Sequence, residues 1–552
     1  MTNTIKLLLV SAASCTLLAA CGGGGGGSTS TPPPTTVAPP PPAPPVSTAP
    51  TFTPGTFEAA SSFKDQCENP RAGRDDTDGS TLIEKFWLRS WTNETYLWYD
   101  EVPDLDPNDT ADRVDYFDLL KTDRTTASGA PVDQFHFSQD TEEFEESRNG
   151  DPVSGYGASL RVLRGAPPRD IRIAYNEPGS PAAEEGGFRR GDKILTVDGL
   201  DAVNGATTQN GLDQLLAGLF PATAGEEHTF TVEDVDGVER DITISSADVV
   251  RQPVTTTSVI DVDDDTKVGY IHFTTFSPFN SEQAIFDAMT EMDTADVDDL
   301  VLDLRYNGGG LLAVAAQIGF MVAGEDATDG KTFDRLTFND KNPNTNPVTG
   351  GLLRPTPFIG TGVGFTVPEG TALPELDLDR IFILSTDGTC SASEAVINGL
   401  RGIDVEVILI GTQTCGKPYG FYPTDNCGET YFTVQFRGAN DKGFGDYADG
   451  FLPNDAGSGF GVEVPGCTIP DEFQGVLGDA NEPLFAAALQ YAADGTCPSS
   501  GTATAKTSFS LPEVSLYPEF DIMSDPRVRM NEFMRTSRIA GVTDGDIADL
   551  KK

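Results

Sequence analysis

Leu302-Asp303-Leu304-Arg305-Tyr306-Asn307-Gly308-Gly309-Gly310 decides how this chain is read. Leu300–Leu304 is a strand-length apolar run, the glycines make a turn, and Leu311–Val322 continues as an apolar helix. A strand that turns through glycines into a helix is half of a strand–helix–strand unit. The same alternation extends in both directions. Val268–Phe273 reads as a strand and Ser281–Met292 as a helix. Ile381–Ser385 reads as a strand, Ala392–Leu400 as a helix and Val405–Ile410 as a strand. The pattern predicts an α/β unit over residues 267–497 with a largely parallel sheet. In such sheets reacting groups gather beyond the carboxyl ends of the strands.

Three strand ends carry unusual residues. Glycine N–H groups at Asn307–Gly310 suit an oxyanion or a phosphate. A phosphate loop needs Gly-Lys-Ser or Gly-Lys-Thr, and Gly310 is followed by two leucines, which argues against a nucleotide. Thr389-Cys390-Ser391-Ala392-Ser393-Glu394 opens the next helix. Ser391 with Glu394 three residues on fits a capping box, and that is one reading of the pair. Thr414-Cys415-Gly416-Lys417-Pro418-Tyr419-Gly420 follows the next strand. A βαβ unit brings Ser391 and Lys417 to one rim, and that allows a second reading. A serine hydroxyl attacks only when a base takes its proton. A lysine is such a base when an apolar pocket strips it of water, and Ile408, Ile410 and Tyr419 are expected to line that pocket.

Upstream, residues 152–250 read as a β-rich domain. Gly155-Tyr156-Gly157-Ala158 precedes a strand, Pro178–Ala182 a short helical stretch, and Phe188-Arg189-Arg190-Gly191-Asp192-Lys193-Ile194-Leu195-Thr196-Val197-Asp198-Gly199 follows. Together they resemble a PDZ domain of the bacterial protease type. That resemblance implies that the Gly155, Tyr156, Gly157, Ala158 turn captures a terminal carboxylate while the peptide adds as a strand. Taken alone, the glycines are a hairpin turn.

The order of a PDZ-like domain, Asp-Leu-Arg-Tyr-Asn-Gly-Gly-Gly, Ser-Ala-Ser-Glu and then Gly-Lys resembles the carboxy-terminal processing (tail-specific) serine peptidases. The resemblance spans about residues 152–453. It implies a multidomain α/β protein whose protease core has a crotonase/ClpP-like fold. It implies Ser391 as nucleophile, with Ser393 the competing choice, and Lys417 as general base. The oxyanion donors are then the N–H of Ala392 and that of Gly308 or Gly309. Gly450-Phe451-Leu452-Pro453-Asn454-Asp455 is similar to the family's late strand turn. One departure stands out: many members have Gln four residues after the lysine, and here that residue is Phe421. Glu394, Glu429 or backbone carbonyls are then expected to hold Lys417. The expected function is a serine endopeptidase acting on unfolded or tail-exposed polypeptides, and the alternative is an inactive peptide-binding scaffold on the same fold. A Ser–His–Asp arrangement is disfavoured, because His136, His228 and His272 all lie far from both motifs in sequence.

No cofactor or metal is expected, since there is no Cys-x-x-Cys pair and the histidines are remote. Cys67, Cys390, Cys415, Cys427, Cys467 and Cys497 suit disulfides in an exported protein. Cys390 and Cys415 follow neighbouring strands, and a bridge there would pin the rim. Cys427–Cys467 and Cys67–Cys497 are the remaining expected pairs.

The flanks carry other signals. Residues 1–21 read as a lipoprotein signal peptide: Leu7–Ala20 is apolar but too short to span a bilayer, and Leu18-Ala19-Ala20-Cys21 resembles a lipobox. Residues 22–57 are a Gly/Pro/Ser/Thr linker without a charge. The expectation is export and a lipid anchor on Cys21, in the outer membrane by the resemblance to lipoproteins, facing periplasm or exterior. Residues 58–151 hold all three tryptophans and read as a helical domain, with Ile83, Trp87, Trp91 and Trp98 on one helix face. Residues 498–552 form a polar tail. With 37 Lys+Arg against 85 Asp+Glu the net charge is −48, which excludes nucleic acid as a partner. Oligomeric state is not legible.

Overall fold

The computed structural model describes residues 50–262, 266–457, 459–498, 521–524 and 538–539. The leader, Cys21 and most of the linker lie outside the described residues. Among the described residues no helix is long and apolar enough to cross a membrane.

The N-terminal segment is built on α1 (Thr81–Thr95), capped by Ser80, whose side chain accepts from Ile83 N–H. Trp87 and Trp91 stack along it at 5.0 Å and pack on Phe117 and Tyr431. Trp98 departs from the expected stripe. The helix ends at Thr95, Tyr96 turns extended, and Trp98 packs on Tyr419 in a separate cluster. Nor does the segment stand apart as a helical domain. Its strand β1 (Phe137–Asp140) pairs antiparallel with Glu429–Phe432 of the core. Cys67 also bonds Cys427, 360 residues away, at a Cα separation of 5.3 Å, beside the Asp65 N–H bond to Asn426 Oδ1 and the Arg71–Asp425 ion pair.

Residues 153–249 form the β-rich domain. Strands β2 (Ala158–Arg164), β3 (Asp170–Asn176), β4 (Lys193–Val197), β5 (Glu227–Glu233) and β6 (Glu239–Ser245) make an antiparallel sheet ordered β6-β5-β4-β3-β2. Between β4 and β5 lies α2 (Gln209–Leu219), which packs Leu212, Leu215, Leu216 and Leu219 into the core under the sheet. These leucines recur at i, i+3, i+4 and i+7, the spacing of one helix face. The short helical stretch at Pro181 is a single 3₁₀ turn, Pro181–Ala183.

The core follows the expected alternation. Strand β7 (Val254–Asp261) runs antiparallel to β8 (Lys267–Phe273). Helix α3 (Ser281–Ala295), β9 (Asp299–Asp303), α4 (Leu312–Thr328), β10 (Arg380–Ser385), α5 (Ala392–Gly402) and β11 (Glu406–Gly411) follow in turn. The sheet is ordered β7-β8-β9-β10-β11-β12, where β12 is Gly466–Thr468, and every pair after the first is parallel. One face packs on α3, α4 and α5, and the other on α6 (Pro483–Asp494). Every residue of β9 is buried, as a parallel strand covered on both faces requires.

Two expected cysteine pairs are corrected here. Cys467 on β12 meets Cys497, just past α6, at a Cα separation of 5.5 Å. Cys67 takes Cys427, because its neighbours Asp65 and Arg71 are held to Asn426 and Asp425, contacts that chain order does not reveal. The segment after Gly324 folds back on α4: Thr332–Asp334 pairs with Thr356–Pro357, and Phe333 packs on Phe358 at 5.3 Å. From the tail, Ile522 is buried in the core of the β-rich domain. The backbone of Arg538–Ile539 pairs in parallel with Gly310–Leu311.

Candidate active site

The three loops singled out in the sequence meet beyond the carboxyl ends of β9, β10 and β11. Asn307 O is the first knot, since Cys390 N–H donates to it at 3.1 Å and Ser393 Oγ at 2.9 Å. The Asn307 side chain is itself fixed. Its Nδ2 donates to Phe273 O, and its Oδ1 accepts from Gly309 N–H at 2.9 Å. Of the two expected glycine donors, Gly309 is therefore engaged, and Gly308 N–H donates to no described group. Gly310 has φ +138, and a Cβ there would lie 2.4 Å from the Phe276 backbone. Only glycine fits so close a passage.

Ser391 sits at φ 62, ψ −108, a region L-residues rarely occupy. Such strain costs about 1–3 kcal/mol and gathers at functional turns between a strand and a helix. Its Oγ is buried and, among the described residues, has no hydrogen-bond partner. Ser391 and Glu394 take the capping-box arrangement: Ser391 N–H donates to Glu394 Oε2 at 2.9 Å, and the Ser391 side chain faces the start of α5 without completing a hydrogen bond. Ser393, the competing serine, spends its hydroxyl on Asn307 O.

Glu394 is the second knot. Its carboxylate accepts from Ser391 N–H, from Gly416 N–H at 2.8 Å, from Lys417 N–H at 2.8 Å and from Thr414 Oγ1 at 2.6 Å. Bonds to a charged acceptor are worth about 1.5–3 kcal/mol each, so the set outweighs the strain at Ser391. Burial pushes the Glu394 carboxyl up, and these bonds oppose it. Gly416 has φ +87, and a Cβ there would meet Ala448 O at 2.4 Å. The late turn backs the same loop, since Thr414 N–H donates to Phe451 O and Phe451 N–H to Thr414 Oγ1.

Lys417 is fully buried. Its Nζ lies 4.3 Å from the ring centre of Phe421 and 4.5 Å from that of Phe135. Phe421 thus stands against the amine where a Gln was expected. The expected wall of Ile408 and Ile410 belongs to the other face of the sheet, against Leu484 and Phe485. Tyr419 packs with Trp98, Phe135 and Cys390. Sequence reasoning missed Phe135. It comes from the N-terminal segment, 282 residues before Lys417, and nothing local ties the two. Glu394 holds the lysine's backbone, while Glu429 lies 4.0 Å from Arg113.

The third knot is covalent. Cys390 and Cys415 are bonded with Cα atoms 5.2 Å apart, and Cys415 N–H donates to Thr389 O at 3.1 Å. Among the described residues no histidine bonds to the Ser391 or Lys417 loop, although the His272 ring packs edge-on against Tyr306, before the glycine turn, at 6.1 Å. His272 is buried on β8, one strand beyond β9, with Nδ1 bonded to Thr255 Oγ1, and burial pushes it down to about 4. His136 is bonded to Phe117 O, and His228 to Asp198.

The Gly155–Ala158 turn lines a cavity of about 720 Å³ at the edge of the β-rich domain, together with Phe188, Ile194 and Phe230. Thr274, Thr275 and Tyr306 of the core close its other side. From the string that follows, Arg190 reaches into the core. It pairs with Asp471 at 2.5 Å and bonds the Tyr306 hydroxyl, just before the glycine turn.

Comparison with known proteins follows this geometry. Residues 267–423 match Peptidase family S41, and residues 84–138 match the Peptidase S41 N-terminal domain. Two segments of the chain are thus similar to domains of peptidase family S41. It is 32% identical over 184 residues to the chloroplastic C-terminal processing peptidase of Tetradesmus obliquus, covering 32% of this chain and 38% of that protein. It is 31% identical over 170 residues to the carboxyl-terminal-processing protease of Picosynechococcus sp., covering 30% and 37%. The matches thus span well under two thirds of those relatives. A solved S41-protease-type structure from Bacteroides fragilis NCTC 9343 shares the fold with a TM-score of 0.55 and 22% identity, over 77% of this chain and all of that one. Both Phe135 and Lys417 fall inside the S41 segments.

Proposed function

We propose that this chain is a serine endopeptidase that cleaves unfolded or tail-exposed polypeptides with a Ser391–Lys417 pair. The observation that carries the reading is Ser391 itself: a strained serine with a buried, unpartnered hydroxyl, held by the carboxylate that also holds the lysine loop. Lys417 in its neutral form takes the Oγ proton as Ser391 attacks the scissile carbonyl. Desolvation disfavours the charged form of a buried amine, which suits a base. Gly308 N–H and Ala392 N–H, the latter at the start of α5, donate to the tetrahedral oxyanion. The amine proton then passes to the leaving nitrogen, and water attacks the acyl-enzyme by the reverse path. The β-rich domain is PDZ-like in this reading, and the Gly155–Ala158 turn takes the substrate's terminal carboxylate at the 720 Å³ cavity.

The test is turnover of casein by the full chain and by Ser391→Ala. Loss of at least about 10³-fold is expected, and comparable rates would exclude Ser391 as nucleophile. Supporting the accompanying reading of location, the apolar leader ends in Leu18-Ala19-Ala20-Cys21, and a linker without charge follows. A lipid on Cys21 would hold the enzyme at a membrane after export. Cys21→Ser then moves the protein to the soluble fraction, and unchanged membrane retention rules out the anchor.

A further inference from the structure

Cys390 immediately precedes Ser391, and Cys415 stands two residues before Lys417. Their bond therefore joins the nucleophile turn to the base loop at the point where Cys415 N–H already meets Thr389 O. Cys390 N–H is pinned in turn to Asn307 O, so the same bond is also fixed relative to the glycine turn. The other ties between the two loops are hydrogen bonds, from Cys415 N–H to Thr389 O and from both loops to Glu394. The disulfide is the covalent one.

We propose that the Cys390–Cys415 disulfide is a positioning clamp for the Ser391–Lys417 pair, needed for turnover beyond what it adds to folding. The proposal rests on the Ser–Lys reading above. The chain supplies its own control. Cys467–Cys497 closes a sequence separation of 30, against 25 for Cys390–Cys415. Loop-closure entropy grows only with the logarithm of length, so the two bonds restrict the unfolded chain almost equally. They differ in what they hold. Cys467 belongs to the cluster around α6, on the face of the sheet away from α5. Two bonds of like effect on the unfolded chain thus differ only in their reach to the site. A misplacement of about 1 Å between reacting groups costs about 10²-fold in rate.

The partly buried Cys415 is the sulfur open to attack. A dithiol reductant attacks its Sγ, Cys390 leaves as thiolate and takes a proton, and the second thiol of the reductant displaces Cys415. Two electrons and two protons pass to the cysteines, and the reductant closes to its cyclic disulfide.

The experiment measures kcat, KM, Tm and the rate of Ser391 labelling by a fluorophosphonate. The proteins are wild type, the double variants C390A/C415A and C467A/C497A, and S391A. The expected result is a similar fall in Tm for both doubles. Only C390A/C415A should lose kcat and labelling rate, by about 10- to 10²-fold, with KM changed by less than about threefold. Equal kcat in the two doubles overturns the clamp. If C390A/C415A does not fold, wild type is titrated with dithiothreitol while mass spectrometry counts each bond. Activity should track the Cys390–Cys415 bond and return on reoxidation, and activity that tracks Cys467–Cys497 or neither bond overturns the proposal. An active S391A defeats the Ser–Lys reading itself. A dead S391A beside a C390A/C415A with the kcat of C467A/C497A defeats the clamp alone.

Discussion

Glu394 and Asp303 are both fully buried carboxylates at the carboxyl edge of one sheet, yet they are held in opposite ways. Glu394 is surrounded by neutral donors from the Ser391 turn and the Lys417 loop, and burial raises its pKa. Burial alone would raise Asp303 too, but Arg305, His272 and the Tyr270 hydroxyl hold it down at about 2. Arg305 spans from Asp303 to Glu482 at 2.7 Å, and Arg190 of the β-rich domain joins the same cluster through Asp471. The contrast separates two tasks. The guanidinium cluster binds elements of the fold to one another. The Glu394 site instead gathers three backbone N–H groups and the Thr414 hydroxyl from the Ser391 turn and the Lys417 loop.

The largest test of that division is Arg305→Met. It leaves Asp303 buried without its guanidinium and Glu482 with only Arg190 at 4.0 Å, and breaking a buried ion pair from one side costs about 3–5 kcal/mol. Urea unfolding should show that loss as a shift in midpoint with little change in slope. The folded fraction should keep its kcat. A stable Arg305→Met, or one that is folded but inactive, would erase the contrast.

Acid sharpens the comparison next. His272 titrates at about 4 when folded against 6.5 when free, so the unfolded chain binds the extra proton between those values. Stability contributed by the neutral ring is complete above pH 6.5 and drains as pH falls to about 4. The difference is on the order of 3 kcal/mol. Asp303 adds a second window, present above 3.8 and lost toward 2. His272→Phe should flatten the first window and narrow the second, because the His272 charge is one of the groups that hold Asp303 down. Chemical denaturation of both proteins at pH 7 and pH 4.5 measures this, and an unchanged slope with pH in the variant would show that another group carries the effect.

How much of this was legible follows from what each feature depends on. Strands β8 to β11 and helices α3 to α5 came straight from local pattern, because buried parallel strands and amphipathic helices write their periods into the chain. Ser391, Lys417, Glu394 and Gly308 stood out because strand ends in alternating order must share a rim. The features that sequence missed are set by contacts between distant segments. Phe135 stands two residues before β1, which adds to Glu429–Phe432, and Cys67 meets Cys427 where Asp65 and Arg71 bond Asn426 and Asp425. Trp98 kept helical spacing, but the helix had ended three residues earlier. Ile408 and Ile410 were assigned to the lysine pocket by proximity in sequence. Alternation along β11 turns them to the opposite face.

The smallest test lies inside the Glu394 site. Thr414 is buried, its Oγ1 donates to Glu394 at 2.6 Å and accepts from Phe451 N–H at 2.8 Å. Thr414→Val keeps the shape and removes both bonds, leaving one N–H without a partner, at a cost of about 1–2 kcal/mol in stability. That is well below the loss expected for Arg305→Met. The activity should respond in the opposite order. Glu394 loses one of its four donors, the base loop gains freedom relative to Ser391, and kcat on casein should fall by about 3- to 10-fold at unchanged KM. The comparison is decided by kcat per folded molecule, taken well below the Tm of either variant. If Thr414→Val keeps the full rate and Arg305→Met loses it, the roles assigned to the two carboxylates are reversed.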